Sequence, residues 1–296
     1  MLRWRLLMSV VFIAGLVGLI WLDAQAATPG SWLMPLALAV SVLACEEMLQ
    51  LLAARDLRPA PWVCYLGCLS IVASNYASIW ATGPLTRLEW TLTAFALSLL
   101  ASFFAEMRRY ERPGQTMERL GAAVLTLGYV GVLLSFVVQM RLLGPNGAYG
   151  IAALASLVIV VKMCDIGAYT VGRLVGRTKL APTLSPGKTI EGCAGGIAFA
   201  LFGAWVWQSM LLPALVTATP ETTSSPPTWG WIAFGLLVGL AGMLGDLAES
   251  LIKRDVGRKD SSSWMPGFGG VLDVIDSILI AAPVAYLCWI FHLVGP

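Results

Sequence analysis

The chain has 296 residues, 58% of them hydrophobic and 12% charged, with a formal net charge of +2. Soluble domains carry about a quarter charged residues, so this composition excludes a soluble enzyme, a disordered chain and a nucleic-acid binder. The six cysteines lie in or beside apolar stretches, where a thiol behaves as a small hydrophobe, and the only histidine, His292, is close to the C-terminus. Disulfide scaffolding and histidine-based acid/base or zinc chemistry are therefore excluded as well.

Apolar runs long enough to span a bilayer are expected at 6–22, 32–54, 61–81, 90–105, 120–140, 148–174, 190–212, 228–252 and 271–294. Each must be helical, because lipid offers no partner to an unpaired backbone group. The fold class is thus all-α: a polytopic integral membrane protein of about nine transmembrane helices. With the N-terminus in the cytoplasm, the inner segments hold Arg3, Arg5, Arg55, Arg58, Arg108, Arg109, Arg112, Arg119, Arg173, Arg177, Lys179, Lys188, Lys253, Arg254, Arg258 and Lys259, which are 16 of the 19 basic residues. Only Arg87 and Arg141 fall outside, and Lys162 lies within a span, as the positive-inside rule requires. Arg3 and Arg5, an apolar run and Ala24-Gln25-Ala26 also look like a cleavable signal peptide, but the run of about 17 residues is long for a signal core. An uncleaved first helix is expected.

The chain divides into an N-terminal set of spans, 1–147, and a C-terminal region, 148–296, where polar residues enter the spans and loops lengthen. In the first part only Glu46 and Glu47 stand out. Acids near the inner end of a span are often functional, and equally they can snorkel to the interface.

In the second part, Lys162 and Asp165 are spaced i, i+3 with Tyr169 one turn on, which suits either a neutralised intramembrane ion pair or a site. Ser185-Pro186-Gly187-Lys188-Thr189-Ile190-Glu191-Gly192 follows. Its Gly-Lys-Thr is not a P-loop, because Pro182 stands where the first glycine is needed and no strand is expected before it. Lys188 near a helix start can still hold a phosphate as a point charge. Gly235, Gly239, Gly242 and Gly245 then form a small-residue stripe that permits close helix approach. Asp246, Glu249, Ser250 and Lys253 share one helix face. Asp273 and Asp276 share a face at the start of the last span, where the helix dipole also favours acids. Several carboxylates at similar depth repel unless cations sit between them, and oxygen ligands without His or Cys select Mg²⁺. A polyphosphate brought to a lipid phosphate at the cytosolic face is the substrate this chemistry suggests.

These residues carry a resemblance. Gly245-Asp246-Leu247-x-Glu249-Ser250, Ser250-Leu251-Ile252-Lys253-Arg254, Lys259-Asp260 and Pro266-Gly267-Phe268-Gly269-Gly270-Val271-Leu272-Asp273-Val274-Ile275-Asp276-Ser277 resemble the phosphatidate cytidylyltransferase (CDP-diacylglycerol synthase) family. So do Asp165-x-x-Ala168-Tyr169-x-x-Gly172 and Ser185-Pro186-x-Lys188-Thr189-x-Glu191-Gly192-x-x-Gly195-Gly196. The motifs occur in the family's order between Asp165 and Ser277, while the N-terminal half agrees only in hydropathy.

The resemblance implies transfer of CMP from CTP to phosphatidate, giving CDP-diacylglycerol and pyrophosphate in phospholipid synthesis. It implies an enzyme of the inner (cytoplasmic) membrane with a cytosol-facing site, and a homodimer. Asp246 and Asp273 would hold Mg²⁺, with room for a second monovalent or divalent cation. Lys253, Asp276 and Glu249 would complete the catalytic set. Lys188, Ser185, Glu191, Arg254, Lys259, Asp260, Asp165 and Tyr169 would contact substrate. Phe268 replaces the family's usual His, Val274 its Arg and Gly187 a common Lys. These departures keep open a related transferase acting on another lipid phosphate or polyprenol, and an inactive paralogue. A secondary transporter is a further alternative, though the chain lacks paired repeats.

Overall fold

The computed structural model of the chain describes residues 14–80, 85–111, 113–144, 147–215, 227–262 and 269–295. The expectations for Arg3, Arg5, Arg112, Pro266, Gly267 and Phe268, and for residues 6–13 of the first span, lie outside the described residues. The chain forms two compact units. The first runs to Gln139 and includes Ile252–Val274; the second comprises Met140–Leu251 and Ile275–Pro296.

In the first unit, α1 (Ala14–Ala24) leads into α2 (Leu33–Ala53). The turn between them is set by Asp23, whose buried carboxylate accepts the N–H groups of Gly30, Trp32 and Leu33. Those groups lie at a helix start and have no intrahelical acceptor, so a carboxylate there satisfies them and complements the dipole. Then come α3 (Pro61–Ala73), which begins on proline, a 3₁₀ turn over Ser74–Tyr76, α4 (Ala77–Trp80), and α5 (Arg87–Arg108), which opens with a Thr86/Glu89 capping box. The chain continues through α6 (Thr116–Thr126), a π-helical stretch over Leu127–Val132 and α7 (Leu133–Arg141).

The expected span at 61–81 is interrupted by the 3₁₀ turn. Ser74 Oγ, Asn75 Nδ2 and Ser135 Oγ all donate to the Ile71 carbonyl, offering it partners other than the next backbone turn. Asn75 also donates to Ser135 Oγ at 3.1 Å and accepts from Thr91 Oγ1 at 3.2 Å, and Gln139 reaches Thr91 at 3.5 Å. Interhelical bonds of this kind in apolar surroundings contribute about 0.6 kcal/mol each.

The second unit is organised around α8 (Gly147–Val175) and α9 (Ile190–Val206), which pack tightly against each other. Between them lies a hairpin, β1 (Lys179–Ala181) antiparallel to β2 (Ser185–Thr189), with Lys179 opposite Thr189. This corrects the expectation that no strand precedes Pro182. The strand is three residues long, too short for alternating hydrophobicity to reveal it. After β2, Thr189 caps α9 by accepting the Gly192 N–H, and a π-helical stretch over Trp207–Leu211 leads to α10 (Leu212–Leu215). Two helices contribute residues to both units: α11 (Gly230–Asp255) and α12 (Val271–Ile290).

Among the described residues, seven helical segments are long and apolar enough to cross a membrane: Leu33–Ala53, Arg87–Arg108, Thr116–Arg141, Gly147–Val175, Ile190–Leu215, Gly230–Asp255 and Val271–Ile290. Each coincides with an expected span. The all-α polytopic architecture therefore stands.

Candidate active site

In the second unit, the glycine stripe of α11 brings three helices to one place. Gly235 and Gly239 rest against Ala200 of α9, and Gly245 faces the backbone carbonyl of Asp276 on α12. A Cβ at 245 would stand 2.6 Å from that carbonyl, so only glycine allows this approach. The next residue is Asp246. Its Oδ2 pairs with Lys188 Nζ of β2 at 2.9 Å, and its Oδ1 lies 3.5 Å from Ser250 Oγ. On α8, Lys162 pairs with Asp165 at 3.1 Å.

These pairs form one electrostatic group. The charges of Asp246, Asp165 and Asp276 influence one another, as do those of Lys188 with Asp165 and of Lys162 with Asp276. Three acidic side chains thus share this region with two ammonium groups. The Lys188–Asp246 pair is only partly buried, with side-chain exposures of 24% and 39%. A partly open cluster of acids and ammonium groups suits a hard cation and a phosphate.

Lys253 and Asp273 meet in the first unit at 2.5 Å. Asp273 Oδ2 also accepts from Ser261 N (2.9 Å), Ser261 Oγ (2.7 Å) and Gly270 N (2.8 Å). Gly269 makes the preceding turn at φ 82°, and a side chain there would overlap the Asp273 carboxylate. Asp273 and Asp276, one helical turn apart, thus have different partners: Asp273 has a full set of donors in the first unit, and Asp276 joins Asp246 in the second.

The remaining expected site residues are more scattered. Ser185 opens β2, the strand that carries Lys188. Glu191 folds back to accept the N–H groups of Arg177 and Thr178, closing the α8–β1 junction. The Tyr169 hydroxyl accepts from Arg173 at 2.9 Å. Arg254 donates to the Arg258 carbonyl at 3.1 Å, and Lys259 and Asp260 are exposed in the segment after α11. Glu249 is fully buried in α11.

Glu47 is the residue that the motif pattern did not place. Glu46 lies at the surface, bonded to Gln50 and Tyr65. Glu47 points inward and bonds Ser261, Val271 and Leu272. No local signal separates the two acids, because Glu47's partners lie more than 200 residues further on.

The cytidylyltransferase family model matches residues 3–291, almost the whole chain. The chain belongs to the cytidylyltransferase family. Its relatives include the phosphatidate cytidylyltransferase of Bacillus subtilis, 30% identical over 257 residues that cover 86% of this chain and 88% of that one. The Synechocystis phosphatidate cytidylyltransferase is 30% identical over 287 residues, covering 87% and 88%. The Brucella suis protein of the same name is 40% identical over 149 residues, about half of each chain. The protein is accordingly a nucleotidyltransferase and, with seven long apolar helices among the described residues, a membrane protein.

Proposed function

We propose that the protein transfers CMP from CTP to phosphatidate at the cytosolic face of the inner membrane, forming CDP-diacylglycerol and pyrophosphate. The observation that carries this reading is the Lys188–Asp246 pair set among Asp165, Lys162 and Asp276. It supplies phosphate-binding ammonium groups beside carboxylates of the kind Mg²⁺ prefers. A phosphatidate oxygen attacks the α-phosphorus of CTP. A new P–O bond forms there, the P–O bond to the β-phosphate breaks, and pyrophosphate leaves with the electron pair. No enzyme nucleophile is needed. The chain's part is to hold both phosphates in line and exclude competing water.

Among the described residues, no group of three or more His, Cys, Asp or Glu is gathered tightly enough to cage a metal. Mg²⁺ needs no such cage, since it is commonly bound by one or two carboxylates and completes its shell with water and substrate phosphates. Asp246, partly exposed beside Lys188, fits that requirement. Asp273 is assigned to the metal by resemblance, and it would exchange one of its present donors to bind. When bound, the ion would neutralise charge on the phosphate oxygens. Lys188 and Lys162 would hold phosphate, while Glu191 and Ser185 act on the hairpin that presents Lys188.

The test is purified protein with CTP, Mg²⁺ and a panel of lipid phosphates, read as pyrophosphate release. Release with phosphatidate supports the reading. Release only with a polyprenyl phosphate moves the protein to a different acceptor, and no release with any acceptor contradicts the proposed reaction.

A further inference from the structure

We infer that Glu47, on α2, is a positioning residue for this reaction: it holds Ser261 and the first turn of α12 so that Asp273 keeps a single orientation. The inference rests on the reading of Asp273 as part of the reacting site.

Glu47 is 2% exposed. Its Oε1 accepts the Val271 N–H at 2.9 Å, and its Oε2 accepts the Leu272 N–H at 2.8 Å and Ser261 Oγ at 3.0 Å. The first N–H groups of α12 have no acceptor within their own helix. Two carboxylates divide that end of the helix between them: Asp273 takes Gly270, and Glu47 takes the next two positions. Ser261 Oγ joins the two acids, lying 2.7 Å from Asp273 Oδ2. Displacing Glu47 therefore releases both the backbone that carries Asp273 and the hydroxyl that orients it.

Gly270 provides the second line of support. A Cβ at 270 would overlap both Glu47 oxygens and Ser261 Oγ, so the glycine leaves room for the carboxylate. The glycine pair of the family-like motif thereby has two separate uses. Gly269 makes the left-handed turn and clears Asp273; Gly270 seats Glu47.

A purely structural capping role is the competing explanation, and the molecule contains its own control. Asp23 is as deeply buried and takes three N–H groups at the start of α2, those of Gly30, Trp32 and Leu33, none of which is assigned to substrate. Glu47→Gln, Ser261→Ala and Asp23→Asn would be compared in the full-length protein, measuring melting temperature, kcat, KM for CTP and backbone hydrogen exchange across 261–275. A misplacement near 1 Å can cost about 100-fold in rate, so Glu47→Gln is expected to lower kcat by about 10–100-fold. Its KM should stay within about threefold of wild type, separating lost transition-state interactions from lost binding. Exchange should rise locally over 261–275, and Ser261→Ala should show the same pattern more weakly. Asp23→Asn should lower only the melting temperature.

If Glu47→Gln loses melting temperature alone, as Asp23→Asn does, the inference is overturned. If Glu47→Gln does not fold, Ser261→Ala carries the same test, since it breaks the joint and keeps both carboxylates. Were wild type itself silent with CTP and phosphatidate, the proposed function would fall and this inference with it, whereas an active wild type with an unimpaired Glu47→Gln kcat would overturn this inference alone.

Discussion

In the first unit, Asp273 accepts from Lys253, Gly270 and two groups of Ser261, and its pair with Lys253 is 11% exposed on both sides. In the second unit, Asp246 has Lys188 and a long contact with Ser250, stands near two further acids, and is 39% exposed. Both clusters draw on α11 and α12, so helix type does not explain the difference. Lys253 lies about two turns, roughly 10 Å, beyond Asp246 along the same helix. The contrast is in satisfaction. A carboxylate with all its donors in place acts as a strut, and adding a ligand means breaking something. A carboxylate left facing like charges gains when a cation or a phosphate-bound ion arrives.

That contrast can be broken by substitution. Asp246→Asn should have the largest effect on activity, since losing an electrostatic contact to the reacting phosphates costs about 100–1000-fold in kcat. Its melting temperature should barely move, because partly exposed pairs contribute about 0–1 kcal/mol. Lys253→Met should add a loss of stability to a loss of activity, because it also frees the Asp273 carboxylate. Removing one partner of a buried pair costs about 3–5 kcal/mol, so denaturant unfolding of this variant should shift strongly before any assay is run. Lys188→Met sharpens the comparison: little change in stability is expected, with KM for CTP raised about tenfold as one charge-assisted phosphate contact is lost. The smallest expected effect is a gain. A side chain at Gly187 would meet nothing within 4 Å, so Gly187→Lys should fold normally. An added charge near substrate phosphates, worth about 0.2–1 kcal/mol, should lower KM by at most about fivefold.

Much of this layout was legible in the chain itself. Hydropathy placed all seven long spans, because a bilayer imposes length and apolarity on each helix independently. The glycine stripe announced where α11 is approached closely, since removing a side chain has one main use on an apolar helix. Asp246, Lys188 and Asp165 could be named from motif spacing, and the first two pair directly in the unit that also holds Asp165.

What stayed hidden depends on contacts remote in sequence. Glu46 and Glu47 are adjacent acids on one helix, and what distinguishes Glu47 is its remote partners, Ser261, Val271 and Leu272. The Asn75–Ser135–Thr91 network lies in a half of the chain that reads as featureless, because single polar residues at unrelated positions make no periodic pattern. Asp273 and Asp276 share a spacing, and spacing carries no information about which neighbours each one meets.

The account's central claim is that CMP leaves CTP for phosphatidate at the Asp246 cluster. It is tested most directly with CTP labelled at either the α- or the γ-phosphate, phosphatidate in mixed micelles, Mg²⁺, and wild-type or Asp246→Asn protein matched for folded fraction. The account predicts α-label in the lipid phase, γ-label in pyrophosphate, and neither with Asp246→Asn. Gamma label in the lipid phase, or equal transfer by wild type and Asp246→Asn, would contradict it.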